Sequence, residues 1–306
     1  MNTVKIKSYA KINLTLDILG AEGGYHLLDS FVANVDLFNL VVATKRKDKL
    51  VSGQMRGLGM DSVPFEKTNA CKVAEAFVEK FQTLGADIVI YENIPVGAGL
   101  GGSSADAAGV LRALAALYEI PLEQTYEIAN AFGSDIRYML VGGYARMSGR
   151  GENVESLPER ESLHLLLLCP KSSVSAGACY GEFDRVSAGQ ITEFTTERAI
   201  SAYENGEVEA LGKILKNDLF EPAKNLNADV GKAYAELKEF SPLGVVMTGS
   251  GSAAFALFES KELCEWAKSR YRGKYRAIVT KTIAKGKKKI WKNPFVLSED
   301  EKRDFE

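Results

Sequence analysis

A stretch with four glycines in six residues constrains this chain more than any other part of it. The stretch PVGAGLGGSS, residues 95–104, lies between a predicted strand (87–92) and a predicted helix (103–120). Glycine costs the most backbone entropy on folding and lets the main chain approach a ligand closely, so this density predicts contact with an anion. The helix N-terminus adds unpaired N–H donors and partial positive charge. There Ser103 and Ser104 can cap the helix or meet phosphate and a bound Mg²⁺.

Other interpretations of the glycine loop compete with a phosphate cradle. Gly97, Gly99 and Gly102 match the dinucleotide pattern G-x-G-x-x-G. That fold needs a parallel strand ending in an acidic residue about 20 residues later, but a second helix (122–133) is predicted there. A Walker A loop is excluded because no Gly-Lys-Ser/Thr follows the glycines. A glycine-rich helix cap without a ligand stays open as the structural alternative.

Composition and charge exclude several classes of protein. The net charge of -2 over 306 residues gives no global indication of nucleic-acid or membrane binding. The longest apolar run, at 163–169, is far shorter than the roughly 20 residues that span a bilayer, and the N-terminus lacks a signal-peptide core. Four scattered cysteines and two histidines predict reduced thiols and no zinc site. We therefore expect a cytoplasmic protein with no nucleic-acid or membrane partner.

Hydrophobic periodicity predicts alternating strands and helices in the first half of the chain. Period-two alternation predicts strands over 3–19, 34–44 and 87–92, and helical spacing predicts a helix over 68–85. In the second half, the pattern predicts a strand at 163–169 and then helices to about 240. It predicts strands at 243–247 and 252–258, a helix at 260–271 and a strand at 275–282. Hairpin, helix and strand after a first strand and helices indicate an α+β sandwich.

A polar segment with a proline, SLPERES at 156–162, is a plausible domain boundary. We predict one domain over 1–157 and a second over 158–284. The remaining tail, 285–306, changes from basic to acidic and is either a solvated terminus or a docking segment.

Three motifs, in the correct order, resemble those of the GHMP small-molecule kinases. PVGAGLGGSSADAA is similar to their phosphate-binding motif, SYAKINLTLDI to their first motif and MTGSGSAAFALF to their third. The resemblance implies an α+β, two-domain GHMP kinase fold with a ribosomal protein S5 domain 2-like N-terminal domain and a ferredoxin-like C-terminal α/β sandwich. It implies ATP and Mg²⁺ as cofactors and ATP contacts at Asn69, Pro95, Gly97, Ala98, Gly99, Leu100, Gly101, Gly102, Ser103, Ser104, Gly249, Ser250 and Gly251.

Further segments are similar to one family of that superfamily, the 4-diphosphocytidyl-2-C-methyl-D-erythritol kinases of the non-mevalonate isoprenoid pathway. They are AKINL, GGYHLL, GSDIRYMLVGGYARMSGRGE, PKSSVSAGACYGEFD and KNDLFEPA. This resemblance implies transfer of a phosphoryl group to the 2-hydroxyl of a small molecule that carries a cytidine diphosphate group. It places Lys11 beside Asp135, which accepts or orients the proton of the attacking hydroxyl, and it assigns no residue as a metal ligand. The implied substrate contacts are Asn13, Tyr25, His26, Ser175 and Tyr180.

Several positions depart from the family pattern. Arg137 stands where the family has proline, and Ala176 stands where it has threonine. Tyr138, Ser103 and Ala105 are further departures. The departures leave open another GHMP kinase acting on homoserine, mevalonate or threonine, or a catalytically silent nucleotide-binding homologue. The expected assembly is a monomer or a homodimer.

Overall fold

Two β-sheets with helices packed against them form the fold. The computed structural model describes residues 2–186 and 193–285. The strands in these ranges are β1 (Thr3–Asn13), β2 (Thr15–Glu22), β3 (Tyr25–Lys45), β4 (Ser52–Arg56), β5 (Ala86–Tyr91), β6 (Tyr144–Gly149), β7 (Asn153–Ser156), β8 (His164–Cys169), β9 (Lys216–Asn217), β10 (Gly244–Met247), β11 (Ala254–Phe258) and β12 (Arg276–Lys281). The helices are α1 (Asn69–Phe81), α2 (Gly102–Leu117), α3 (Tyr126–Phe132), α4 (Ser134–Val141), α5 (Ala176–Val186), α6 (Thr196–Glu204), α7 (Val208–Ile214), α8 (Phe220–Leu226), α9 (Ala228–Lys238) and α10 (Lys261–Arg270).

The first sheet is organised around β3, whose 21 residues pair antiparallel with β1, β2, β5 and β6. In β1 alternate residues are buried as far as Ala10, as expected for a strand with one face on the core. From Lys11 to Asn13 every residue is buried. The polar end of β1 is therefore enclosed by protein, and this end enters the candidate site.

Helix α2 lies very close to the first sheet because its residues are small. A Cβ on Gly109 would lie 2.6 Å from Val41 Cγ2 and 3.0 Å from Ser8 Cβ. The Ser8 hydroxyl also donates a hydrogen bond to the Ala105 carbonyl. This close packing brings the N-terminus of α2 next to the end of β1.

The second sheet has the order β10-β11-β8-β12, with every neighbouring pair antiparallel. With helices between β8 and β10, and α10 between β11 and β12, this is the ferredoxin-like arrangement. The predicted α+β class and two-domain fold are confirmed. The dinucleotide alternative, which the sequence disfavoured, does not fit the fold: α3 and α4 follow α2 before the next strand, and β5 and β6 both pair antiparallel with β3 instead of pairing with each other in a parallel sheet.

The predicted boundary between domains at 157/158 stays a prediction. Packing continues across it: β9 pairs in parallel with β2, and Phe31 and Leu165 belong to one hydrophobic core. Residues 286–306 of the predicted tail lie outside the described residues.

Helix ends differ from the predictions by a few residues. The helix predicted to reach Gly85 ends at Phe81, because Gln82 adopts a left-handed conformation with φ +52°. The helix predicted at 122–133 begins as a 3₁₀ turn over 122–125 and continues as α3. Strand β4 and the α4–β6–β7 segment were not predicted.

Across the described ranges, no helix combines the length and the apolar character needed to cross a bilayer.

Candidate active site

The glycine loop connects β5 to α2 through a series of turns. Gly97, Gly99 and Gly101 have φ values of +66°, +78° and +73°, a region that side-chain-bearing residues rarely adopt. Gly101 is the N-cap residue of α2 and offers no capping side chain. Successive turns of this kind direct main-chain N–H groups into a concavity that binds anions, and the helix N-terminus adds its own unpaired donors.

The loop has no room for larger residues because the turn after β10 packs against it. A Cβ on Gly99 would lie 2.2 Å from the Thr248 carbonyl oxygen. The Thr248 hydroxyl donates to the Gly99 carbonyl at 3.3 Å, and the Ala253 N–H donates to the Ala98 carbonyl at 3.1 Å. The third motif of the resemblance, MTGSGSAAFALF, thus lies beside the glycine loop.

Two cavities meet at the loop. We call the first, of about 370 Å³, the nucleotide cavity. Its lining includes ten of the predicted ATP contacts, namely Asn69, Pro95, Gly97, Ala98, Gly99, Leu100, Gly101, Gly102, Ser103 and Ser104. The second, of about 780 Å³, is called the acceptor cavity and shares Gly99, Gly101 and Ser104 with the first. The two cavities therefore adjoin each other at the glycine loop.

An ion pair between a buried lysine and a partly exposed aspartate lies in the acceptor cavity. Lys11 Nζ is 3.3 Å from Asp135 Oδ2, and both residues line the cavity. Lys11 is 5% exposed, and its main-chain N–H donates to the Leu100 carbonyl at 3.0 Å. Asp135 is in the first turn of α4. The two charges are 124 positions apart in the chain (135 minus 11) and meet beside the phosphate loop.

Asn13 connects the ion pair to the turn after β10. Its Oδ1 accepts hydrogen bonds from Lys11 Nζ at 2.7 Å and from the Gly249 N–H at 3.0 Å. Its Nδ2 donates to the Ser30 hydroxyl at 2.8 Å. Asn13 also lines the acceptor cavity, as predicted for a substrate contact, but its amide oxygen is occupied in orienting Lys11.

Three predicted substrate contacts line the acceptor cavity together: Tyr25, His26 and Tyr180. The His26 ring stacks on Tyr180 with centroids 4.7 Å apart, and its Nε2 is 2.7 Å from Asp184 Oδ1. Tyr25 is 59% exposed, with the Arg150 guanidinium 4.3 Å from its ring centroid. Burial, helped by the charge of Asp135, raises the pKa of Tyr180 to about 12, so this ring stays neutral.

Some predicted residues lie elsewhere. Ser175 is exposed and lines neither cavity; its carbonyl accepts the Cys179 N–H, and its neighbours Ala176 and Gly177 line the acceptor cavity instead. Gly249 and Ser250 line the acceptor cavity rather than the nucleotide cavity, and Gly251 lines neither.

Arg137, which stands where the family has proline, stacks its guanidinium on Tyr126 at 3.5 Å from the ring centroid. It lines neither cavity. Arg137 therefore packs α4 against α3, and its positive charge is not among the residues that line either cavity.

Comparisons with known proteins decide the family. The family model for the GHMP kinases N terminal domain matches residues 69–144, and that for the GHMP kinases C terminal domain matches residues 199–276. A 4-diphosphocytidyl-2-C-methyl-D-erythritol kinase of Caldicellulosiruptor bescii is 33% identical over 289 residues, which cover 92% of this chain and 99% of the relative. The enzyme of the same name from Clostridium tetani is 34% identical, over 92% of this chain and all of the relative. The chain belongs to the 4-diphosphocytidyl-2-C-methyl-D-erythritol kinase family of the GHMP kinases.

Solved structures agree with this family. A crystal structure of a 4-(cytidine 5'-diphospho)-2C-methyl-D-erythritol kinase superposes with a TM-score of 0.76 at 27% identity, covering 91% of this chain and 98% of the other. An L. major mevalonate kinase shares the fold, with a TM-score of 0.72 at 15% identity, over 92% of this chain and 96% of the other.

In this GHMP kinase the structure adds cavity residues that the sequence reasoning missed. Arg150 lines the acceptor cavity and Lys67 the nucleotide cavity. Arg150 lies in SGRGE, the end of a segment that resembles the family but to whose residues the sequence analysis assigned no function beyond Asp135. Glu92 and Asp106 flank the glycine loop and also line the nucleotide cavity. The only indication of Glu92 and Asp106 in the sequence was that acidic residues stand on either side of a glycine loop.

Proposed function

We propose that this chain transfers a phosphoryl group from ATP to the 2-hydroxyl of 4-diphosphocytidyl-2-C-methyl-D-erythritol, in non-mevalonate isoprenoid precursor synthesis. The observation that carries the proposal is the Lys11–Asp135 pair, 3.3 Å apart, in a cavity that joins the nucleotide cavity at the glycine loop. The named activity of the relatives supports the acceptor. The glycine loop fits a triphosphate because four glycines, which carry no side chain, line the nucleotide cavity at the N-terminus of α2.

The chain's own residues would act by alignment and charge. ATP supplies the phosphoryl group. Asp135 Oδ2 accepts the proton of the attacking hydroxyl, and the Lys11 ammonium stabilises the negative charge that develops on that oxygen. The loop N–H groups and the N-terminus of α2 stabilise charge on the transferred group. The transfer is direct, so a covalent phosphoprotein trapped during turnover would contradict it.

We also propose that Mg²⁺ accompanies the nucleotide. Ser103 and Ser104, in the first turn of α2, line the nucleotide cavity and offer the oxygen ligands that this ion prefers. The ion would neutralise phosphate charge, while the protein holds it through few direct ligands.

Recognition of the acceptor is assigned to the aromatic end of the acceptor cavity. Tyr180 and Tyr25 offer ring faces for a base, and His26 offers a polar ring edge for the cytosine. Arg150, which covers Tyr25, supplies positive charge for a diphosphate.

Replacing Tyr180 by alanine is expected to raise the KM for the cytidylyl acceptor about tenfold or more. Stacking of a base on an aromatic ring contributes about 1–3 kcal/mol, and about 1.4 kcal/mol corresponds to a factor of ten. The KM for ATP should stay unchanged because Tyr180 lines the acceptor cavity alone. Steady-state kinetics with each substrate varied in turn checks this, and Tyr180→Phe, which keeps the ring, should behave like the wild type. An equal rise in both KM values would contradict the assignment.

A kinase assay tests the acceptor directly. Turnover should be found with 4-diphosphocytidyl-2-C-methyl-D-erythritol and not with homoserine, mevalonate or threonine. Turnover on one of the latter alone would favour another GHMP kinase, and ATP binding without turnover on any acceptor would favour a silent homologue.

We further propose a cytoplasmic enzyme that is a monomer or a homodimer. All four cysteines are unpaired and buried, and burial raises the pKa of the Cys169 thiol to about 12. Such thiols are typical of proteins from reducing compartments. Light scattering of the purified chain would measure the assembly.

A further inference from the structure

Arg112 connects the helix that follows the glycine loop to the helix that carries Asp135. It lies in α2, and its Nη2 donates to the carbonyl oxygens of Met139 and Leu140 at 2.7 and 2.9 Å. Both carbonyls belong to the last turn of α4, where the helix itself offers no donor. Arg112 lines neither cavity, so its effect on the site passes through α4.

The position of Arg112 is costly for a cation. Its Nε is buried and, within the described residues, has no hydrogen-bond partner. Burial lowers the pKa of the guanidinium, and the groups that oppose this shift are Tyr9 and Tyr126 rather than a carboxylate. The negative end of a helix dipole favours a cation beside the last carbonyls. The contact with α4 is therefore what the charge of Arg112 gains in this position.

Asn34 joins the same end of α4 to the first sheet. It is 5% exposed and lies opposite Lys11 in the pairing of β1 with β3. Its Oδ1 accepts the Gly143 N–H at 2.9 Å, and its Nδ2 donates to the Ala10 carbonyl at 3.0 Å. One side chain thus connects the residue before Lys11 to the chain just after α4.

Helix α4 is short, so the placement of its last turn also places its first. Its eight residues span about 12 Å, and Asp135 and Met139, four positions apart, lie on one face. Met139 packs against the N-cap of α2, because a Cβ on Gly101 would collide with its Cε. Asp135 Oδ2, at the start of α4, is 3.3 Å from Lys11 Nζ. The direction of α4 therefore sets where the carboxylate lies relative to the lysine and the glycine loop.

We propose that Arg112 is a positioning residue for phosphoryl transfer. By holding the C-terminal end of α4 to α2, it keeps Asp135 beside Lys11 and the attacking hydroxyl. The proposal rests on the proposed function in that Asp135 is the proton acceptor. A misplacement of about 1 Å can cost about 10²-fold in rate, so the loss of Arg112 should lower kcat and spare ATP binding.

The test compares Arg112→Met, which keeps an unbranched stem without charge or donors, with Arg112→Lys, which keeps a cation of shorter reach. The kcat with the cytidylyl acceptor should fall about 10²-fold in Arg112→Met and about tenfold in Arg112→Lys. The ATP dissociation constant from calorimetry should stay nearly unchanged in both. Arg270→Met is a matched control with wild-type kcat, because Arg270 is an exposed cation in the last turn of α10 and lines neither cavity.

A double-mutant cycle separates the positioning of Asp135 from general support of the fold. In the Asp135→Asn background, either Arg112 substitution should lower kcat by less than about threefold, because no carboxylate is left to misplace. A further loss as large as in the wild-type background would overturn the proposal. So would wild-type kcat in Arg112→Met, or a loss of ATP affinity equal to the loss of kcat. If Arg112→Met does not fold, the cycle with Arg112→Lys decides.

A crystal structure of the Arg112 variant gives a measurement that does not depend on activity. The distance between Lys11 Nζ and Asp135 Oδ2, 3.3 Å in the wild type, should exceed about 4 Å, the limit of an ion pair. An unchanged distance would overturn the proposal. If the distance lengthens but the wild type does not phosphorylate the cytidylyl acceptor, the proposed function fails and the positioning of Asp135 by Arg112 stands.

Discussion

Replacing Asp135 by asparagine is expected to lower kcat by about 10³- to 10⁴-fold and to leave ATP affinity nearly unchanged. The asparagine has nearly the same shape but accepts no proton and has no charge to pair with Lys11, 3.3 Å away. Positioned proton acceptors contribute about 10² to 10⁴ in rate, and loss of the ion pair places this variant near the upper end. ATP affinity should survive because Asp135 lines the acceptor cavity and not the nucleotide cavity.

Steady-state kcat with the cytidylyl acceptor, together with the ATP dissociation constant from calorimetry, checks this prediction. Asp36→Asn is a matched control, because Asp36 is exposed on β3 and lines neither cavity. Near-normal turnover of the Asp135→Asn variant would contradict the role of Asp135 as proton acceptor. A loss of ATP affinity as large as the loss of kcat would contradict its assignment to the acceptor side of the site.

Replacing Gly99 by alanine should abolish measurable ATP binding and destabilise the fold by about 2 to 5 kcal/mol. Its φ of +78° costs an alanine about 1–2 kcal/mol, and forcing extra atoms into a packed site costs about 1–3 kcal/mol. The new Cβ would lie 2.2 Å from the Thr248 carbonyl oxygen, so either the loop or the turn after β10 must move. Movement of the loop would misplace the N–H groups that we propose to bind phosphate.

Gly59→Ala separates backbone strain from the steric clash. Gly59 has the same φ of +78°, but a Cβ there meets nothing within 4 Å, and the residue lines neither cavity. This control should lose only about 1–2 kcal/mol of stability and keep its ATP affinity. Thermal unfolding and calorimetry measure both quantities. Wild-type ATP binding by Gly99→Ala, or an equal loss of affinity in both variants, would contradict the role of the close packing.

Much of the fold could be predicted because its strongest signals are local. The strand β8, the helix α10 and the strand β12 match the predicted segments within about two residues. The apolar run of β8 and the helical spacing of the buried residues in α10 are properties of consecutive residues. The α4–β6–β7 segment was not predicted, because its elements are short and its two strands form by pairing, β6 with β3 and β7 with β6.

Some features of the candidate site could likewise be predicted from the sequence, and others could not. The glycine loop could be recognised in the sequence because left-handed turns and close packing allow few residues other than glycine, as at Gly99 and Gly101. The proximity of Lys11 and Asp135 came from resemblance, not from spacing. Nothing local showed that Arg137 would stack on Tyr126 or that Ser175 would stay exposed beside the acceptor cavity.

The sequence by itself determined that a glycine-rich main-chain loop would lead into a helix N-terminus, because that property belongs to consecutive residues and their backbone conformations. Only the tertiary structure decided which charges surround the loop. The side-chain amide of Asn39, more than 50 positions earlier in the chain, donates to both Glu92 and Asp106. The pKa of a buried carboxyl depends on burial and on its neighbours in space, and folding alone creates both of these.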